Sequence, residues 1–202
     1  MSRVQARPGT SKAPQRVRII AGQWKRLLLP VADLPGLRPT PDRVRETVFN
    51  WLNHLFDGLW QTREVLDLFA GSGALGFEAA SRGAKAVLMV EQAAAAVAAL
   101  NDSARRLQAA QVQVVRADAK AWLRQVAGSQ FDLVFLDPPY TLDLLPSLLP
   151  ACRALLKPEG LVYAESDKPF PVDEEWLQGW EAVRMDRAGA VHFCLLQCKK
   201  LA

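Results

Sequence analysis

Glu64-Val65-Leu66-Asp67-Leu68-Phe69-Ala70-Gly71-Ser72-Gly73-Ala74-Leu75-Gly76 reads as an apolar strand that runs into a glycine turn and then into a helix. Gly71, Gly73 and Gly76 fit the spacing G-x-G-x-x-G, and the strand before and helix after give that spacing its proper context. Glycine lets the backbone approach a ligand, and the free N–H groups at a helix start favour an anionic group. Glu91 follows Gly71 by twenty residues and ends the apolar run Lys85-Ala86-Val87-Leu88-Met89-Val90, where its carboxylate can accept from two ribose hydroxyls. To this point a nicotinamide dinucleotide fits as well as any other adenosyl ligand.

Outward from that stretch the pattern repeats as strand then helix. Strands are expected near 64–70, 85–90, 112–117 and 131–136, with helices near 73–82, 92–108 and 118–127 between them. Such alternation gives a parallel sheet with helices on both faces, the architecture of an α/β, Rossmann-like domain. Leu142 to Leu156 reads as a helix interrupted by Pro146 and Pro150, and Gly160 to Glu165 as a fifth strand. Trp180–Asp186 and Ala190–Lys199 flank Arg187-Ala188-Gly189 as an antiparallel hairpin. Upstream, Arg18 to Pro30 reads as a strand or hairpin. Thr40 is expected to cap a helix with Pro41 in its first turn and an apolar stripe of Val44, Val48, Trp51, Leu52, Leu55 and Phe56.

In open parallel sheets ligands lie beyond the carboxyl ends of the strands. Four acids stand there: Asp67, Glu91, Asp118 after Val112-Gln113-Val114-Val115-Arg116-Ala117, and Asp137 after Phe131-Asp132-Leu133-Val134-Phe135-Leu136. Any one could instead cap the following helix. Asp67 would repel a dinucleotide pyrophosphate but can hold an ammonium group. The run Asp137-Pro138-Pro139-Tyr140 is stiff, because each proline fixes its own φ and restricts the residue before it. An Asp137 oxygen and the Pro138 carbonyl can accept both hydrogens of a planar exocyclic NH2, and the Tyr140 ring offers a face on which the attached heterocycle stacks. On this reading the ring of Tyr140 matters and its hydroxyl does not. These features suit methylation of a base amino group, with S-adenosylmethionine as the donor.

The motifs at Asp67–Gly76, Glu91, Asp118 and Asp137–Tyr140 resemble those of class I S-adenosylmethionine-dependent methyltransferases that modify amino groups. Arg18-Ile19-Ile20-Ala21-Gly22-Gln23-Trp24-Lys25-Arg26, Gly36-Leu37-Arg38-Pro39-Thr40 and Asp42-Arg43-Val44-Arg45-Glu46-Thr47-Val48-Phe49-Asn50-Trp51-Leu52 further resemble the RsmD family. The resemblance implies a seven-stranded, mostly parallel sheet that ends in the antiparallel hairpin. It implies transfer of a methyl group to N2 of one guanine in bacterial small-subunit ribosomal RNA. Asp67, Phe69, Ala70, Gly71, Ser72, Gly73, Glu91, Asp118, Ala119 and Asp137 would then bind S-adenosylmethionine, and Asp137, Pro138, Pro139 and Tyr140 would carry the reaction. A DNA adenine-N6 methyltransferase shares the Asp-Pro-Pro-Tyr chemistry, but the chain leaves no room for a sizeable target-recognition insert. A nicotinamide oxidoreductase is disfavoured by Asp67 and the paired prolines.

Charge is unevenly placed. Residues 1–45 hold ten Lys or Arg against Asp33 and Asp42, a net of +8, whereas the whole chain carries only +4. A polyanion should meet the N-terminal part. Arg18, Trp24, Lys25, Arg26, Arg38, Arg43 and Arg45 are therefore expected to face RNA, with Trp24 equally suited to hairpin core. The organisation expected is a basic flexible tail over 1–17, an RNA-facing extension over 18–60 and a methyltransferase domain over 61–202. At 202 residues and 50% hydrophobic content the chain can bury a core of its own. Cys152, Cys194 and Cys198 form no Cys-x-x-Cys pair. On one strand Cys194 and Cys198 would lie about 13 Å apart at ~3.3 Å per residue, beyond the roughly 7 Å limit for a disulfide. Reduced cysteines, a cytoplasmic monomer and no metal are the expectation. His54 and His192 lack partner spacing for metal or nucleophilic chemistry and are assigned to structure, and neither a signal peptide nor a membrane-length apolar run is visible.

Overall fold

A computed structural model describes residues 16–32, 40–126, 128, 130–171 and 174–199. Arg38 and most of the basic tail expected over 1–17 lie outside the described residues. Two short antiparallel strands, β1 (Arg16–Arg18) and β2 (Leu28–Pro30), precede helix α1 (Asp42–Leu55). The alternating part follows as β3 (Glu64–Asp67), α2 (Ala74–Ser81), β4 (Ala86–Glu91), α3 (Ala94–Leu107), β5 (Val112–Arg116), α4 (Ala119–Leu123) and β6 (Phe131–Leu136). Helix α5 (Leu145–Cys152) leads into β7 (Leu156–Ser166), and β8 (Trp180–Ala188) and β9 (Val191–Cys198) form the closing hairpin.

Strands β3 to β9 make one seven-stranded sheet in the order β5-β4-β3-β6-β7-β9-β8. The first five pair in parallel, and β9 runs antiparallel to both β7 and β8. The chain leaves β3 to one side through β4 and returns to its other side at β6, so the switch point falls between Asp67 and Asp137. Alternation along the strands sorts the core into two layers. Val65, Leu133, Phe135, Leu161, Tyr163, Phe193 and Leu195 meet α1, α2 and α3 on one face. Leu66, Val134, Leu136, Val162, Ala164, Cys194 and Leu196 meet α5 on the other. The three cysteines are free.

The expected elements recur with shifted ends. β3 stops at Asp67 because the chain leaves the strand for the glycine turn, though Leu68 N–H still reaches Phe135 O at 3.1 Å and Ala70 N–H reaches Val90 O at 3.0 Å. α4 ends at Leu123, not near 127. Pro146 lies in the first turn of α5, where its missing N–H costs nothing, and only Pro150 sits within the helix. Thr40 does not cap α1. The N-cap is Pro41, with no side-chain cap, and the Thr40 hydroxyl points elsewhere.

The N-terminal stretch is fastened to α2 by buried polar groups. Glu78, fully buried, accepts from Ile20 N–H at 2.7 Å, Ala21 N–H at 3.0 Å and Arg82 Nε at 2.8 Å, and lies 3.9 Å from Arg45 Nη1. Ser81 Oγ donates to Ala21 O and accepts from Trp24 N–H. The chain turns against the end of α2 at Gly22, whose φ is +81° and where a Cβ would fall 1.9 Å from Ser81 O. Only glycine allows that approach. Glu78→Ala removes one partner from a buried ionic cluster and is expected to lower stability by about 3–5 kcal/mol. Urea unfolding at neutral pH checks this, and a loss below about 1 kcal/mol would show the joint to be dispensable.

Candidate active site

The switch point opens into a cavity of about 800 Å³, large for a small-molecule site. Its walls come from the ends of β3, β4, β5, β6 and β7, the glycine turn and the start of α1's approach at Thr40 and Pro41. Asp67, Phe69, Ala70, Gly71, Ser72, Glu91, Ala119, Asp137, Pro138, Pro139 and Tyr140 all line it, so the structure brings most of the residues singled out from sequence to one place.

Two carboxylates shape the half nearest the glycines. Glu91 accepts from Gly71 N–H at 2.9 Å through one oxygen and from Ala93 N–H at 2.7 Å through the other. Asp67 is buried and accepts from Gly76 N–H at 3.0 Å. Burial pushes its pKa up to about 7, with the Gly76 N–H opposing and the Glu91 charge adding to the rise. A Cβ at Gly76 would lie 2.5 Å from Met89 Cε and 3.1 Å from the Asp67 carboxylate, so a larger residue there would have to displace the Met89 end and crowd that carboxylate. Each carboxylate oxygen retains a lone pair for a further donor. The Phe69 side chain and the neighbouring alanines give this half an apolar wall, suited to an adenosyl group with hydroxyls and an ammonium at its polar ends.

The other half holds a second pair of acids. Asp137 Oδ2 accepts from the Thr40 hydroxyl at 3.1 Å. Glu165, 3% exposed at the end of β7, accepts from the Tyr163 hydroxyl at 2.6 Å and from the Tyr140 hydroxyl. Burial first, and then the Glu165 charge, raises Asp137 well above the usual carboxylate range, while Thr40 opposes the rise. Burial also raises Glu165, against the phenol hydrogen bonds that favour its ionised form. An ionised carboxylate beside a fixed carbonyl, with an aromatic ring alongside, can hold a planar amine.

Several expectations need correction. The Tyr140 hydroxyl, given no part in the reading from sequence, has a buried partner in Glu165. Arg45 cannot face RNA: it is 0% exposed and bonds to Thr40 O, Arg18 O and Asp42. Trp24 is core, buried with Ile19 and Leu29. Asp118 caps α4 through Oδ1, accepting from Ala121 N–H at 2.8 Å, and does not line the cavity although Ala117 and Ala119 do. Gly73 turns its α-carbon toward Phe77 and Leu100, serving the turn more than the cavity. Arg18, Lys25, Arg26 and Arg43 are exposed, with Arg18 paired to Asp42 at 3.0 Å. Thr40 and Glu165 were missed. Glu165 carried the same signal as the other four acids, a carboxylate at a strand end, whereas nothing local marks Thr40 as anything but a cap.

The family model described as Conserved hypothetical protein 95 matches residues 17–197. A ribosomal RNA small subunit methyltransferase D of Haemophilus influenzae is 38% identical over 193 residues, 93% of this chain and 97% of the relative. A protein of the same name from Escherichia coli is 42% identical over 154 residues, 75% of each chain. Among solved structures, a putative methyltransferase from Escherichia coli superposes with a TM-score of 0.78 at 34% identity, covering 93% of this chain and all of that one.

Because folding raises the pKa of Asp67 above the value 3.8 of an unburied carboxyl, the folded state binds more protons than the unfolded state between about pH 4 and 7. Stability of the ligand-free protein should therefore fall as pH rises through that window and level off above it. Asp67→Asn is expected to make the fall shallower by up to about 1.4 kcal/mol per pH unit. Denaturant melts from pH 5 to 8 check this, and equal slopes in both proteins would place the titration elsewhere.

Proposed function

Given that the chain belongs to the family matched over residues 17–197, that of the ribosomal RNA small subunit methyltransferase D proteins, we propose that it methylates the exocyclic N2 of one guanine in small-subunit ribosomal RNA. It is an S-adenosylmethionine-dependent ribosomal RNA methyltransferase. The observation that carries the finer reading is that two polar sets line one cavity: Asp67, Gly71 and Glu91, and Asp137, Pro138 and Tyr140.

S-adenosylmethionine supplies an electrophilic methyl carbon on a sulfonium centre. The protein's part is holding and orientation. Glu91, already fixed by Gly71 and Ala93, would hold ribose hydroxyls with its remaining lone pairs; ionised Asp67 would hold the ammonium group, and Ser72 N–H, in the glycine turn, would hold the carboxylate. Ala119, which lines the cavity beside Ala117, would offer its N–H to the adenine ring. Phe69, Ala70 and Ser72 complete the wall.

At the other end the guanine is taken out of its RNA context and lies against Tyr140. Its N2 lone pair is delocalised into the ring and is a poor nucleophile. Asp137 and the Pro138 carbonyl each accept one amine hydrogen, which turns that lone pair toward the methyl group and stabilises positive charge as it develops on nitrogen. No base is needed beforehand, since the amine proton becomes acidic only as the N–C bond forms. Asp137, whose pKa burial has raised, is then suited to take it. Exposed Arg18, Lys25, Arg26 and Arg43 supply phosphate contacts on the same N-terminal stretch that brings Thr40 to Asp137. A basic face of this kind suits an RNA polyanion better than a free nucleotide.

The experiment is to incubate the protein with labelled cofactor and small ribosomal subunits from cells lacking it, then digest the RNA to nucleosides. N2-methylguanosine is expected. Label on adenosine, or transfer to duplex DNA in place of RNA, would overturn the assignment. In the same assay Asp137→Ala should keep cofactor affinity within a few-fold yet lose about two orders of magnitude or more in turnover. Equal losses in both would make Asp137 a cofactor residue.

A further inference from the structure

Tyr140 is 37% exposed, yet its hydroxyl reaches into the protein and donates to Glu165, a carboxylate only 3% exposed. The second oxygen of Glu165 accepts from the Tyr163 hydroxyl at 2.6 Å. Tyr163 is fully buried, and its ring meets Phe135 edge-on at 5.9 Å, in the layer of the sheet that faces α1. The ring of Tyr140 is thus anchored at both ends: at its α-carbon by the stiff Pro138-Pro139 pair, and at its hydroxyl by a carboxylate tied to the core. A ring anchored only at the backbone would pivot about its side-chain torsions and would lose that freedom each time a base lay on it. Packing alone does not account for Glu165, since an apolar side chain of like volume would fill a buried strand end without an ion to desolvate.

We propose that Glu165 is a positioning residue, which fixes the plane of the Tyr140 ring and hence the plane of the target base. This rests on the guanine-methylation reading for its consequence in turnover, and on the hydrogen bonds alone for its consequence in the ring. The Tyr140 hydroxyl then contributes along with the ring face, and Tyr140 and Glu165 act as one unit.

The chain has only two tyrosines, so 3-fluorotyrosine labelling reports directly on both. In ¹⁹F spectra Tyr140→Phe assigns the Tyr140 signal. Glu165→Gln is expected to move that signal toward the shift and narrow width of free fluorotyrosine, and an unmoved signal would overturn the inference. On unmethylated small subunits, Tyr140→Phe and Glu165→Gln should each lower kcat about 10- to 100-fold, the scale of a misplaced reacting group. Cofactor affinity should be unchanged, and the double variant should be no worse than the more damaged single one. Wild-type kcat in Tyr140→Phe, with turnover lost in Tyr140→Ala, would overturn the proposal. Should Glu165→Gln fold poorly, Tyr140→Phe decides alone, because it removes one oxygen atom from a partly exposed ring. If the wild-type protein transfers no methyl group to the particle, the guanine reading fails and the fluorine spectra still decide the role of Glu165.

Discussion

Carboxylates at strand ends that accept backbone N–H groups are the constraint on which the rest of this structure depends. Glu91 fixes Gly71 and Ala93, and Asp67 fixes Gly76, so the turn between β3 and α2 is held open by acids that belong to two neighbouring strands. Without them Gly71 N–H and Gly76 N–H would have to find water or another acceptor, and the cavity would lose its polar edge. The arrangement carries a cost in the ligand-free protein. Asp67 is buried close to the Glu91 charge, which helps drive its pKa up to about 7. A cationic ammonium group beside Asp67 would offset that cost, whereas a pyrophosphate would add to it.

The other half of the cavity depends on the N-terminal stretch. Arg45 and Glu78, both fully buried, join α1 and the segment after β1 to α2. Arg45 Nε donates to Thr40 O at 3.3 Å, and the Thr40 hydroxyl donates to Asp137. A chain of contacts therefore runs from the first turn of α1, which carries Arg43 on its exposed side, through Arg45 and Thr40 to the Asp137 carboxylate. The N-terminal stretch is part of the site as well as a basic face, and its hydrophobic residues share one cluster with the sheet.

Much of this was legible in the sequence. The mostly apolar, nearly continuously buried run Phe131–Leu136, the glycines at 71, 73 and 76, and an acid at the end of each of four strands are local signals, and each marks a strand, a strand end or a turn whatever lies around it. What was not legible depends on partners distant in the chain. Arg45 sits in a stretch rich in exposed cations and differs from Arg43 only in which face of α1 it occupies, with Glu78 as its buried counter-charge. Trp24 next to Lys25 and Arg26 has the composition of a nucleic-acid patch, but its ring is taken up by the core. Thr40 before Pro41 has the form of a helix cap, and only the fold reveals that Asp137 competes for its hydroxyl. Asp118 was the one strand-end acid for which the capping role won.

If the end of the cavity shaped by Glu91 and the glycine turn binds S-adenosylmethionine, calorimetric titration of the cofactor into folded Glu91→Ala protein should reveal it. Affinity weaker than wild type by about 1.5–3 kcal/mol is expected, the scale of hydrogen bonds to a charged group. Unchanged affinity in a variant with native secondary structure would contradict it and would place the cofactor elsewhere.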